Sequence, residues 1–114
     1  MNKILANRLN LSLSNYVLKA DISTGYWVGF AKSKIELYRK ANGDDFNIII
    51  FGDKDTFSDY YIVPFAHVRG AFQARYMYGH KGRYRWVASI KDHCINFRVS
   101  KISLDISSYY SIPI

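Results

Sequence analysis

The sequence predicts an α+β domain: an antiparallel sheet or partly closed β-barrel of six to seven strands with one or two helices packed on it. Three observations predict this. Several stretches alternate apolar and polar residues, as half-buried strands do, and the segment from Phe65 to Met77 instead spaces its apolar residues by three and four, as a helix does. The chain is also short, at 114 residues with two prolines and no repeat or low-complexity tract, which limits it to a single domain over 1–114. Hydrophobic residues make up 49% of it and charged residues 22%, enough apolar material for a core and too little charge for a disordered chain.

Taken in order, Asn2 to about Ala20 is expected to be a helix with Leu5, Leu9, Leu13, Tyr16 and Val17 on one face, although Leu9, Leu11 and Leu13 also alternate as in a strand. Tyr26 to Ala31 is aromatic and apolar. Lys34 to Lys40 alternates, with Ile35 and Leu37 on one side and Lys34, Glu36, Tyr38 and Lys40 on the other, so these two segments are expected to form a hairpin. Asn42-Gly43 accepts the positive φ of a tight turn, and Phe46 to Phe51 follows as a strand buried on both faces, completing a three-stranded meander. Gly52 to Asp59 is a polar, acidic loop, and Tyr60 to Val63 is a short strand ended by Pro64, which has no N–H to give.

In the helix expected from Phe65 to Met77, Phe65, Val68, Phe72 and Tyr76 share a face, with Arg69 and Gln73 away from it. Gly70 inside it costs about 1 kcal/mol relative to Ala, so packing must hold the helix or another backbone must come close there. Gly79-His80-Lys81-Gly82 is a glycine-bracketed loop. Beyond it Tyr84, Trp86, Ala88 and Ile90 alternate with Arg83, Arg85, Val87 and Ser89 as a half-exposed strand. Asp92 and His93 make a turn, Ile95, Phe97 and Val99 point to the core with Asn96 and Arg98 outward, and Ile102, Leu104 and Ile106 form a last alternating stretch.

Charge is unevenly distributed. Residues 1–65 hold eight basic and seven acidic side chains, whereas residues 66–114 hold eight basic side chains against Asp92 and Asp105 alone. Nearly all of the net +7 is therefore C-terminal. Five of those eight are arginines, whose planar fork suits phosphate oxygens and guanine edges, and they are interleaved with Tyr76, Tyr78, Tyr84 and Trp86. If the strand from Arg83 pairs with the next as a hairpin, Arg83, Arg85, Arg98 and Lys91 form one basic patch. A ribbon of this kind enters a major groove, and the 79–82 loop lays Lys81 along phosphates. Arg69, Arg75, Tyr78, His80, Lys81, Arg83, Arg85, Lys91, Arg98 and Lys101 are the candidate DNA-binding residues. The competing reading is a charged sheet face that only prevents edge-to-edge aggregation. The tyrosines, Tyr109 and Tyr110 included, are of the type that stacks on unpaired bases, but tyrosine is also an ordinary half-buried strand residue.

Other chemistries find less support. His67, His80, His93 and Cys94 show no His-x-x-x-His or Cys-x-x-Cys spacing, so no metal is expected. Asp44, Asp45, Asp53, Asp55 and Asp59 lack a calcium-loop pattern, and Gly79 to Gly82 lacks the Gly-Lys-Ser/Thr ending of a nucleotide-binding loop. No catalytic motif is complete. Neither an enzyme nor a cofactor is expected. A single cysteine excludes an intramolecular disulfide framework, no apolar run reaches membrane-spanning length, and Asn7, Arg8, Asn10, Ser12 and Ser14 interrupt any signal-peptide core. A cytoplasmic protein with no membrane contact is expected.

The run Asp59-Tyr60-Tyr61-Ile62-Val63-Pro64-Phe65, then Val68 and Phe72, then Arg85-Trp86 and Ile106-Ser107-Ser108-Tyr109-Tyr110, resembles the noncatalytic N-terminal portion of bacterial restriction endonucleases whose cutting domain is HNH-type. The resemblance covers residues 46 to 110 and implies a duplex-DNA-recognition module of a host-defence enzyme. These residues carry no HNH or other nuclease signature, so it also implies a nuclease domain or subunit as partner. The alternative from another class is a small protein-binding module or inhibitor, encoded by a mobile element, that docks on a nucleic-acid-processing partner. Salt separates the two, because DNA binding weakens log-linearly as salt rises and needs no protein partner.

Overall fold

The computed structural model describes residues 15–52, 60–80 and 83–111, and these form an α+β fold of two sheets. The strands are β1 (Asn15–Lys19), β2 (Trp27–Ala31), β3 (Asn47–Phe51), β4 (Tyr60–Pro64), β5 (Tyr78–His80), β6 (Arg83–Lys91), β7 (Cys94–Phe97), β8 (Ser103–Asp105) and β9 (Tyr110–Ser111). The helices are α1 (Lys32–Asn42) and α2 (Phe65–Val68), supplemented by short 3-10 turns. One sheet has the order β1-β3-β4-β9, and the other runs β2-β6-β7-β8 with β5 also paired to β6. The two sheets do not close into a barrel.

Alternation along β3 and β4 explains the first sheet. Ile48, Ile50, Tyr61 and Val63 face the main core between the sheets, while Ile49, Phe51 and Tyr60 join Val17 in a second buried cluster on the opposite face. A strand covered on both faces reads as the continuous apolar run Ile48 to Phe51. β1 pairs parallel to β3, with Tyr16 opposite Ile48. Residues 15–19, expected to end a helix, are therefore a strand; the rest of that expected helix, up to residue 14, lies outside the described residues. The two-faced cover of Tyr16 and Val17 decides the difference, because both become buried only when their side chains point to opposite faces.

A parallel pair needs a crossover connection, and β2 with α1 supplies it. The expected strand from Lys34 to Lys40, with its hairpin and meander, is consequently the helix α1. Ile35 is 1% exposed whereas Leu37 is 59% exposed, so the alternation pairing them was fortuitous. The packed face is Ile35 and Tyr38, three residues apart. Tyr38 stacks on Tyr16 and Phe46 with 5.4 Å between centroids in each case, and its hydroxyl donates to the Asn15 carbonyl at 3.1 Å. Gly43 keeps the positive φ expected of Asn-Gly, at 64°, but uses it to end α1, donating its N–H to the Arg39 carbonyl at 2.7 Å. The Tyr16 hydroxyl accepts the Ala31 N–H at 3.3 Å where β2 passes into α1, and burial raises its pKa above the ordinary phenol value.

The expected helix from Phe65 to Met77 is a single turn, α2, followed by 3-10 turns at Arg69–Ala71 and Ala74–Tyr76. Phe65, Val68 and Phe72 are buried as the spacing requires. The helical run breaks at Phe72 and Gln73, whose backbones leave the helical region (ψ of 57° and 148°); the Gln73 carbonyl there accepts both the Trp86 indole N–H and the Tyr76 N–H at 2.9 Å, and the Gln73 side-chain amide donates to the Gly70 carbonyl at 2.9 Å. Gly70 faces open space, so no backbone approaches it. Asp92 and His93, with φ of 53° and 61°, form the two-residue turn that joins β6 to β7. Val99 was expected inward but is 42% exposed, because β7 ends at Phe97 and the chain turns through residues 98–100.

Phe72 lies at the centre of the core, edge-on to Phe30, Trp86 and Phe97 at 5.2, 5.1 and 5.5 Å and tilted against Phe65 at 5.3 Å. Phe72→Ala is expected to destabilise the fold by about 3–5 kcal/mol, as a large-to-small change among rings that cannot collapse inward. Urea denaturation followed by tryptophan fluorescence measures it, and a cost under about 1 kcal/mol would contradict this account of the core.

Candidate nucleic-acid interface

Strand alternation sets the outer face of the five-stranded sheet. With Trp86 and Ala88 buried, Arg85, Val87 and Ser89 point the other way. Arg85 pairs with Ala31 of β2 and with Tyr78 of β5, so those two strands flank β6 on opposite edges, and β7 shares the edge of β5. Just past the end of β7, the Arg98 N–H donates to the Val87 carbonyl at 2.9 Å, which brings Arg98 alongside Tyr78. The Arg85 guanidinium lies 5.7 Å from the centre of the Tyr78 ring and that of Arg98 5.4 Å from it. Among the described residues, ion pairs join Lys32 to Glu36, Arg39 to Asp44 and Arg69 to Asp44, and neither Arg85 nor Arg98 meets a carboxylate. Stacking on an aromatic ring limits the rotamers of both guanidiniums while their N–H groups stay free to donate.

The β5–β6 hairpin extends past its neighbours. β2 covers β6 from Arg85 to Ser89, whereas β5 pairs with Arg83 to Arg85, so the hairpin beyond Arg85 is two strands wide. At this tip a Cβ on Gly79 would lie 2.6 Å from Cε1 of Tyr84, and only glycine admits the ring there. Tyr84 shares the parity of Trp86 yet is 52% exposed, because it lies beyond the part of β6 that β2 covers. The Lys32 ammonium is 5.9 Å from the centre of its ring. Between this hairpin and the start of α1 is an open groove of about 640 Å3, lined by Gly29, Lys32, Ser33, Glu36, Tyr84 and Arg85.

The other candidate residues are scattered. Arg69 binds Asp44 at 3.0 Å, and Asp44 also meets Arg39 at 3.3 Å, so Arg69 ties the 3-10 turn after α2 to the end of α1. Arg75 is exposed and stacks on Tyr76 at 4.8 Å. Lys91 shares the outward parity of Arg85 but sits six residues along the strand, about 20 Å away. Lys101 is exposed in the turn after β7, with φ of 64°. Lys81 and the side chains of His80 and Arg83 lie outside the described residues. Sequence reasoning missed Gly29, Lys32, Ser33 and Glu36. Reading 34–40 as a strand left no signal that the segment's start would return to β6.

A second polar cluster joins the two sheets. The Tyr61 hydroxyl and His93 Nδ1 share a hydrogen bond of 2.6 Å, and Tyr110 packs against both rings. His67 Nε2 is 2.9 Å from the Asp105 carbonyl oxygen. Hydrogen bonds from Ser107, whose backbone N–H donates at 2.8 Å, hold the Asp105 carboxyl below the usual carboxylate pKa, and His93 and His67 add to this by their charge. Among the described residues no three His, Cys, Asp or Glu side chains converge as metal ligands, and no helix is long and apolar enough to cross a membrane. No protein-family model, curated protein or solved structure matches the chain.

The lowered pKa of Asp105 carries a sign. Its carboxylate supports the fold above the unfolded-state pKa, and that support is lost as pH falls through the lower folded-state value. Asp105→Asn is expected to lower the urea midpoint at neutral pH, and the gap to the parent should close in strong acid; a gap independent of pH would refute the assignment.

Proposed function

We propose that the protein is a noncatalytic duplex-DNA-binding domain that engages DNA through the outer face of its five-stranded sheet and the tip of the β5–β6 hairpin. One observation carries this reading: Arg85 and Arg98, from separate segments, stack on the one ring of Tyr78, and among the described residues no carboxylate is paired to either. A surface charge that served only solubility gains nothing from such ordering. A phosphate or guanine ligand does gain, since less rotamer entropy is lost when the arginines bind.

Two further features support it. The basic excess falls in residues 66–114, which contribute β5 to β8. A ribbon two strands wide also has the cross-section that a major groove admits. Attachment to a restriction-type nuclease and a role in host defence follow from the resemblance over residues 46 to 110, and a cytoplasmic setting from the single cysteine and the interrupted N-terminal apolar run; all three form part of the proposal.

The test is fluorescence anisotropy with labelled duplex over a series of salt concentrations. The Arg85→Ala, Arg98→Ala double variant should bind more weakly, with the log–log salt slope reduced by about two if each arginine meets a phosphate. Lys34→Ala, the same kind of charge change on the exposed side of α1, should leave the slope nearly as it was. Parental affinity and slope in the double variant would refute the proposal. Duplex binding that vanishes at physiological salt would turn this face over to the protein-partner reading.

A further inference from the structure

The groove beside Tyr84 shares Arg85 with the arginine patch, and the rest of its lining is of a different kind. Resting on the DNA-binding reading, we infer that this groove takes up one nucleotide turned out of the stack, so that the preferred ligand is DNA carrying an unpaired base.

Position supports it first. Arg85 stacks on Tyr78 in the patch and also lines the groove, so one side chain joins the two surfaces. Size fits as well, since about 640 Å3 falls in the range of sites that enclose a small organic ligand.

The lining supplies each kind of contact that an unstacked nucleotide uses. Tyr84 presents a half-exposed ring, the surface on which splayed bases stack. The ring is held in place because Gly79 leaves room for it, so stacking costs little ordering. The Lys32 ammonium lies over this ring, 5.9 Å from its centre, so a stacking base takes its place and the long side chain swings to the phosphate of the same nucleotide. Glu36, 3.5 Å from Lys32, can accept from a ring N–H or exocyclic amine, and the Ser33 hydroxyl can donate or accept at the base edge.

Gly29 keeps the floor open. A Cβ there would sit 3.7 Å from Cδ of Arg85, an ordinary contact, so a side chain can start at this strand position, and the methyl groups of valine extend into the space a base would occupy.

The experiment uses three duplexes of one sequence: fully paired, with a one-nucleotide bulge, and with that bulge nucleotide made abasic. The abasic form keeps the flexibility of the bulge without the base. The parent protein should prefer the base-bearing bulge over the other two by on the order of tenfold, the scale of one base–aromatic stack. Gly29→Val, which lies outside the hairpin tip, should bind paired duplex as the parent does and lose the preference, and Tyr84→Leu should lose the preference as well. Equal affinity of the parent for the base-bearing and abasic bulges would overturn the inference, as would a preference that survives in Gly29→Val. Thermal melts check that both variants fold; if Tyr84→Leu does not, Gly29→Val and the abasic comparison decide. Salt-dependent binding to paired duplex without a bulge preference sinks this inference alone, whereas no binding to any of the three sinks the DNA-binding reading with it.

Discussion

Everything at the candidate interface depends on the contact between Trp86 and the segment that follows α2. The indole N–H takes the Gln73 carbonyl at 2.9 Å while its ring packs edge-on against Phe72, so one side chain supplies both an apolar and a polar anchor. With the helical run broken at Phe72 and Gln73, the anchor holds the chain where it leaves the helix. It also turns the chain so that β5 begins at Tyr78, opposite Arg85. Had the helix continued to Met77 as its spacing predicts, Tyr78 would follow a helix end, and nothing would bring its ring close to both arginines. The buried indole donor must find an acceptor, since leaving it unpaired costs about 1–3 kcal/mol, and the turn before Gln73 is weakened as a helix by Gly70.

The two sheets differ in what their outer faces need. The first buries apolar residues on both faces, and Ile49 and Phe51 are as enclosed as Ile48 and Ile50. The second has one buried face and one that carries Arg85, Ser89, Asn96 and Arg98, the half-solvated arrangement usual in antiparallel sheets. Charge follows from this layering. Cationic side chains collect where strands keep a solvent face, and the acidic Asp44 is used internally to bind Arg39 and Arg69. Among the described residues, Arg85 and Arg98 are therefore left without a carboxylate on the solvent face.

The sequence was informative where one physical rule applied alone. Strict alternation from Trp86 to Ile90 identified β6 and its inner face, the run Ile48 to Phe51 identified a strand covered on both sides, and the turn at Asp92-His93 followed from short polar residues between two strands. It misled where two periodicities coexisted. Lys34 to Lys40 matches a strand and a helix about equally well, and only the need to connect parallel β1 to β3 selects the helix. The candidate interface was legible as a set of arginines but not as a place. Arg69 carries the same charge as Arg85, and only the fold sets one on Asp44 and the other on Tyr78.

The amino-acid sequence by itself determined the class of fold, the size of the core, the C-terminal concentration of basic charge and the inner and outer residues of the strongly alternating strands. These are properties of composition and of neighbours a few positions apart, and side-chain direction along a strand follows from local backbone geometry. Tertiary structure alone decided that Arg85, Tyr78 and Arg98 meet, that Tyr84 stands in the open beside Gly79, and that the start of α1 closes a groove against β6. Such meetings depend on strand order and register across the chain, which arise from global packing and leave no trace in any short window of sequence.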